Sequence, residues 1–350
     1  MAAPGHRGRA PLRHGQAVAV RHAVAAAVVA VVDGAKGDSK MRITKNSKRA
    51  VATLRLAGLA GAVALCFTLT PAAWAQQKAF ATPEAAMEAF GDALARSDSE
   101  AMKAVLGADY PRFIPPVGAD YRYRFLSAWA KARSIKPEGD GRALVTVGTD
   151  GWTLPIPIVK KAQGWQFDTR AGADEIRIRR IGRNELSVMQ AMLAIYDAQK
   201  EYAMFDRNGN GVREYATKFA SSPGKQDGLY WPAKAGEAES PLGPAFAAAQ
   251  AAGGSSAAGY YGYRFKLLNA QGKGAQGGAY EYTVRGKKIG GFAAVAWPVK
   301  YGDTGVMTFM VSHDGVVYEK DLGPNTAARA SAIARFDPDS TWTRVDPSKH

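Results

Sequence analysis

Apolar positions fall into two regimes along the chain, one before and one after about residue 172. Thr82 is a good N-cap, Pro83 suits the first helical position and Glu84 favours the positive end of the helix dipole, so a helix is expected from there. Ala86, Phe90, Ala93 and Leu94 follow at helical spacing. A second short helix runs through Ala101, Val105 and Leu106 and stops near Gly107, and a third covers 123–132. Residues 142–147, 152–159 and 164–168 read as strands. Helices followed by a small curved antiparallel sheet give 79–172 an α+β fold of NTF2-like outline, which says nothing about chemistry.

The second regime opens on a long helical segment, about 173–205, interrupted only by Gly182. Val188, Met189, Met192, Leu193, Ile195, Tyr196 and Tyr202 widen its apolar stripe until burial against a sheet or another helix is required. A polar, turn-rich stretch at 206–242 and an Ala-rich helix at 244–252 follow. Strand-like runs at 260–268, 279–285, 291–299, 306–311 and 316–320 then alternate with turns, the pattern of an antiparallel meander. The expected class is α+β throughout, with a second domain at 173–345. Alternation places Tyr261, Tyr263 and Phe265 on one face and Tyr260 on the other, a ring ladder best explained by sheet packing.

Charge changes the picture mainly by its position. Residues 1–75 hold eleven of the 46 Lys and Arg and only Asp33 and Asp38 of the acids, hence +9 of the net +15. The remainder carries a mild excess, and no nucleic-acid partner is expected. From Met41 a basic stretch (Arg42, Lys45, Lys48, Arg49, Arg55), an uncharged apolar run at 56–69 and Ala73-Trp74-Ala75 read as a signal peptide over 41–75, cleaved before Gln76. The apolar run is too short to span a bilayer, so the mature chain is expected in the periplasm or secreted, without a transmembrane span. Residues 1–40 precede a complete signal and are expected to be a mis-assigned, disordered N-terminal extension. Large Leu65 before Cys66 argues against lipidation.

Cleavage would leave no cysteine and only His313 and His350. Metal hydrolases, thiol enzymes and Ser-His-Asp hydrolases need those side chains as ligand, nucleophile or base, so no catalytic residue is assigned. His313, in Ser-His-Asp-Gly between two strands, is expected to be an exposed turn residue. Arg177, Arg179, Arg180 and Arg183 form a basic stretch, expected to be a solvated face beside Glu175 and Glu185. Asp227-Gly228-Leu229-Tyr230-Trp231-Pro232 either lines a pocket or is a self-clamped loop. Asp303, Asp314 and Asp321 lie at turns or strand ends, and acid/base work would require two of them across a cleft.

The most specific local signal is Asp206-Arg207-Asn208-Gly209-Asn210-Gly211-Val212-Arg213-Glu214. Oxygen side chains at the first, third and fifth positions, Gly at the sixth and Glu214 at the ninth make Asp206, Asn208, Asn210 and Glu214 candidate calcium ligands. Thr217 stands where a bidentate Glu belongs, and the competing reading is a pair of Asn-Gly turns closing the helix.

Several separated motifs together resemble the bacterial domain-of-unknown-function family numbered 2950. They are Gly151-Trp152-Thr153-Leu154-Pro155-Ile156-Pro157, Gly164-Trp165-Gln166-Phe167-Asp168, Ile181-Gly182-Arg183-Asn184-Glu185-Leu186, Gly228-Leu229-Tyr230-Trp231-Pro232 and Tyr301-Gly302-Asp303-Thr304-Gly305. The resemblance covers nearly all of 79–345 and implies an exported protein with no catalytic residues to carry over. The expected function is a non-enzymatic envelope or binding protein, with calcium as the candidate cofactor of its Asp206 loop. The alternative is a carboxylate-based hydrolase of an envelope polymer.

Overall fold

The structure, a computed structural model, describes residues 77–345 apart from 115, 117, 234–238 and 252–257. The expected extension and signal peptide lie outside the described residues. The chain divides into two compact units whose boundary falls between Ala173 and Asp174.

In the first unit, α1 (Pro83–Arg96) starts where Thr82 Oγ1 accepts a hydrogen bond from Ala85 N at 3.2 Å, and it ends on Ser97 in the left-handed region. Asp98 caps α2 (Ser99–Leu106), and α3 (Ala119–Lys131) follows. The sheet comprises β1 (Arg133–Pro137), β2 (Arg142–Val147), β3 (Trp152–Thr153), β4 (Ile158–Lys161) and β5 (Gly164–Phe167), ordered β1-β2-β4-β5 with β3 beside β2, all antiparallel. The expected strand at 152–159 is thus two strands. Pro155 and Pro157 lack the N–H that a continuous ladder needs, while Leu154 before them and Ile156 between them are buried.

Rings of Phe90, Phe125, Trp129 and Phe167 form the centre of this unit, with centroids 5.4 to 6.3 Å apart. Gly91 lets α1 approach them. A Cβ there would lie 2.6 to 2.7 Å from the Trp129 indole. Gly182, in contrast, is exposed on the long helix with open space around it. The same substitution therefore has opposite signs at the two sites. Gly182→Ala should stabilise by about 0.5–1 kcal/mol through helix propensity. Gly91→Ala should destabilise by about 1–3 kcal/mol through overpacking. Urea melts of the two variants with equal shifts in one direction would contradict this.

The long helix α4 (Thr169–Tyr202) starts four residues earlier than the periodicity predicts, because Asp168 Oδ1 accepts from Ala171 N at 3.0 Å and begins the first turn. Within the second unit, Val188, Met189, Met192, Ile195 and Tyr202 of this helix are buried with Tyr263, Phe265, Ala294, Ala296, Phe309 and Val311 of the sheet. That sheet runs β14-β13-β12-β11-β6 and is antiparallel throughout: β6 (Tyr263–Leu268), β11 (Ala293–Pro298), β12 (Met307–Ser312), β13 (Val317–Asp321) and β14 (Thr343–Arg344).

Its other face is also covered. Ala293, Val295, Trp297 and Met310 pack under Leu322, Ala330 and Phe336, from α6 (Thr326–Ser331) and its flanks. Every residue of β11 is consequently buried. The expected strand at 279–285 does not enter this sheet. It divides into β8 (Tyr280–Glu281), paired with β7 (Ala270–Gln271), and β9 (Thr283–Val284), paired with β10 (Lys287–Lys288) across an Arg285-Gly286 turn with both φ positive. A short helix, α5 (Pro244–Ala251), completes the unit. Among the described residues no helix is long and apolar enough to cross a membrane.

Candidate functional site

At the C-terminal end of α4, Asn208, Asn210 and Glu214 meet side chain to side chain, while Asp206 accepts from backbone N–H groups of the same loop. Asp206 Oδ1 accepts from Gly209 N (2.9 Å) and Asn210 N (3.2 Å), and Oδ2 accepts from Gly211 N (2.8 Å). These backbone donors, Gly211 foremost, hold the Asp206 carboxyl below its usual range. Gly209 and Gly211 both take positive φ, which closes the loop. The amides of Asn208 and Asn210 donate to Glu214 Oε1 at 2.6 and 2.7 Å.

Their own oxygens face inward, Asn208 Oδ1 accepting from Asn210 N (3.2 Å) and Asn210 Oδ1 from Val212 N (2.9 Å). From β10, Lys287 Nζ donates to Asn210 O (3.3 Å) and Oδ1 (3.2 Å), while Lys288 N donates to Glu214 Oε2 (3.2 Å). The loop is thus a knot of Asx turns in which an ammonium already sits on one of the oxygens. Among the described residues no group of three His, Cys, Asp or Glu side chains converges as a metal site.

Beside the loop lies a polar cluster that sequence reasoning missed. Lys288 is 1% exposed, and its ammonium donates to Leu268 O (3.0 Å) and Asn269 Oδ1 (3.2 Å). Burial brings its pKa down to about 8. Tyr282 is fully buried, donating to Gln271 Oε1 at 3.2 Å, and burial pushes its hydroxyl upward. The only signal for Lys288 was its place in a hairpin, where a lysine normally points to solvent.

His313 is not the exposed turn residue expected. It is half-buried, with Tyr282 5.6 Å away edge to face, Phe292 at 6.3 Å and Nε2 3.2 Å from Tyr280 Oη. Its Nδ1 is buried over Gly291, where a Cβ would come within 2.7 Å of that nitrogen. Ring packing drew it in, a tertiary effect that a turn motif cannot report.

The basic stretch of α4 is likewise not a simple solvated face. Arg180 pairs with Asp303 and is only 14% exposed, Arg177 Nη1 donates to Gly302 O (3.0 Å) and Asn184 Nδ2 to Thr304 O (2.9 Å). Glu185 Oε1 accepts from Val306 N (2.8 Å), Met307 N (2.9 Å) and the Tyr263 hydroxyl (3.3 Å). The segment thereby clamps residues 302–307 onto the helix.

Of the three candidate carboxylates, Asp303 is in that clamp, with Lys300 also at 3.2 Å. Asp314 caps its own turn, accepting from Ser312 Oγ (2.7 Å) and Val316 N (3.1 Å). Asp321 accepts from Tyr301 Oη (3.1 Å) and Gly323 N (2.7 Å).

The loop at 227–231 is self-clamped. Leu229 and Trp231 are buried, Lys218 and Ser222 hold Asp227, and Arg207 lies 5.1 Å over the Trp231 ring. The lysine and serine hydrogen bonds outweigh desolvation and hold the Asp227 carboxyl at about 2. Tyr263 and Phe265 are buried as the alternation requires, but Tyr261 is exposed on a two-residue turn with φ 49°.

A family model described as "Protein of unknown function (DUF2950)" matches residues 77–345. The chain belongs to that family. No curated protein and no solved structure matches it. The DUF2950 match spans both compact units, so the clamp, the Asp206 loop and the first-unit ring core all fall inside the matched region.

Proposed function

We propose that this DUF2950 chain is an exported, non-enzymatic protein of the bacterial envelope that works by binding. The leading support is the employment of its carboxylates: Asp303 serves an ion pair, and Asp314 and Asp321 stabilise turns, so each has a structural task. His313, wedged among aromatic rings with Tyr280 at its Nε2, has the same character. The leader sequence supports export, and the absence of cysteine after residue 75 suits an oxidising compartment in which stability must come from burial. A hydrolase of an envelope polymer is the rival. Release of soluble sugar or peptide from purified envelope polymer, abolished by Asp303→Asn with the fold intact, would establish that rival and sink the binding reading.

The same proposal makes the Asp206 loop calcium-stabilised. The cation would take the place of the Lys287 ammonium at Asn210, with the Asn208 and Asn210 amides turned so that their oxygens join Glu214. Displacing existing hydrogen bonds and supplying only two carboxylates limits the affinity to about 10⁻⁴–10⁻³ M, the range of extracellular modules. Millimolar calcium should therefore raise the melting temperature by a few degrees at most, and Lys287→Ala should enlarge that shift. A melt indifferent to calcium and chelator in both proteins would remove the ion and leave Lys287 as the resident cation.

A further inference from the structure

On the face of the second-unit sheet opposite α4, an open groove of about 300 Å³ is lined by Met310, Ile333, Ala334, Arg335, Asp337 and Trp342. Its walls come from the segment after α6 and its floor from β12. We propose that this groove binds one sugar residue of a glycan, an inference that stands whether or not the protein is exported.

Three properties point to that chemistry. Ile333 and the Trp342 indole, both partly exposed above buried Met310, give an apolar wall that suits the C–H face of a pyranose. The same lining carries a guanidinium and a carboxylate two residues apart, a donor and a two-oxygen acceptor of the kind that meets hydroxyls.

Both are held in place by the protein. Asp337 Oδ1 accepts from Gly274 N at 2.7 Å and packs against Gly272, where no side chain would fit. Arg335 donates to Glu281 Oε1 at 2.5 Å. A site preformed in this way loses little entropy on binding.

The third property is the pairing of the charges around the groove. Lys320 Nζ already lies 5.7 Å from the centre of the Trp342 ring, and Lys266 Nζ donates to Ser331 O (2.9 Å) and Ile333 O (2.8 Å) at the same wall. Arg335 is paired with Glu281 and Lys320 acts on Asp339, so the charges around the groove nearly balance and select no ion over a neutral polyol. The volume is close to the lower limit for ligand pockets and holds about one ring, which makes the expected affinity weak, with Kd on the order of 1 mM.

The test follows the Trp342 indole N–H by NMR, assigned through Trp342→Phe, during titration of the whole protein with glucose, N-acetylglucosamine and a soluble oligomer of the latter. Saturable shifts at Trp342 are expected, weakened about tenfold by Asp337→Asn, which keeps an oxygen for Gly274, and abolished by Ala334→Trp, which fills the groove from an exposed position. A shift with free monosaccharide and no gain with the oligomer would assign a small-sugar site; a tighter oligomer would assign a polymer chain. No Trp342 shift up to about 50 mM of any sugar, or a shift that survives Ala334→Trp in a folded protein, would overturn the proposal.

Discussion

Gly305→Ala should lower stability by about 4 kcal/mol, the sum of overpacking and a lost buried hydrogen bond. In thermal terms this is roughly 10 °C for a unit of this size. Residue 305 lies where the clamped 302–307 segment crosses Tyr263, a fully buried ring whose hydroxyl donates to Met307 O (3.0 Å) and Glu185 Oε1 (3.3 Å). An added Cβ would overlap that hydroxyl oxygen and reach within 2.5 Å of ring atoms Cε2 and Cζ. Tyr263 cannot turn away, because Phe309 packs on it and the sheet surrounds it.

To accept the methyl group, either the clamp must open or the ring must give up both acceptors. Combining the change with Tyr263→Phe removes the overlapping oxygen, so the double variant should be more stable than the two single effects added together. A cost under about 1 kcal/mol in a urea melt would show that the 302–307 segment is not fixed by α4.

The second large effect is on pH dependence. Lys288 titrates at about 8 when folded and at 10.5 when exposed, so between those values the unfolded chain binds more protons and stability rises with pH. The gain is about 3 kcal/mol across that window. Below pH 8 the ammonium is charged in both states and the burial penalty is constant. Tyrosines act in the opposite direction. Tyr202 is pushed up to about 12 by burial, and Tyr263 and Tyr282 are raised as well, so above pH 10 the unfolded chain loses protons that the folded chain keeps, and stability falls.

Maximum stability is therefore expected at about pH 9–10, well above the usual optimum. Lys288→Met, which preserves the stem's volume, should flatten the rise while leaving the alkaline fall. A wild-type profile that is flat or descending from pH 7.5 to 9.5 would show that Lys288 is solvated rather than buried.

What the sequence disclosed and what it concealed divide along a physical line. Thr82 and the stripe from Val188 to Tyr202 are local signals, and each corresponds to a cap or a buried helix face near its expected position. β1 was invisible because its five residues are exposed on both faces or nearly so, and only pairing with β2 makes them a strand.

Tyr261 was assigned to the ladder by alternation, but the two-residue turn with Gly262 reverses the chain there. Glu185, Arg180 and His313 depend on partners up to 123 residues away, which no window along the chain can contain. The Asp206 loop stands between these cases. Its turns were legible from two Asn-Gly pairs, whereas Lys287, the cation that sits on it, arrives from a hairpin 77 residues later.

The proposed export underlies the functional reading, since removal of the leader would deprive the working protein of thiols. Mass spectrometry of the protein recovered from envelope and cytosolic fractions of its host tests this directly. The account predicts a single mature species beginning at Gln76 in the envelope or medium; a chain isolated from the cytosol with residues 41–75 still attached would contradict it.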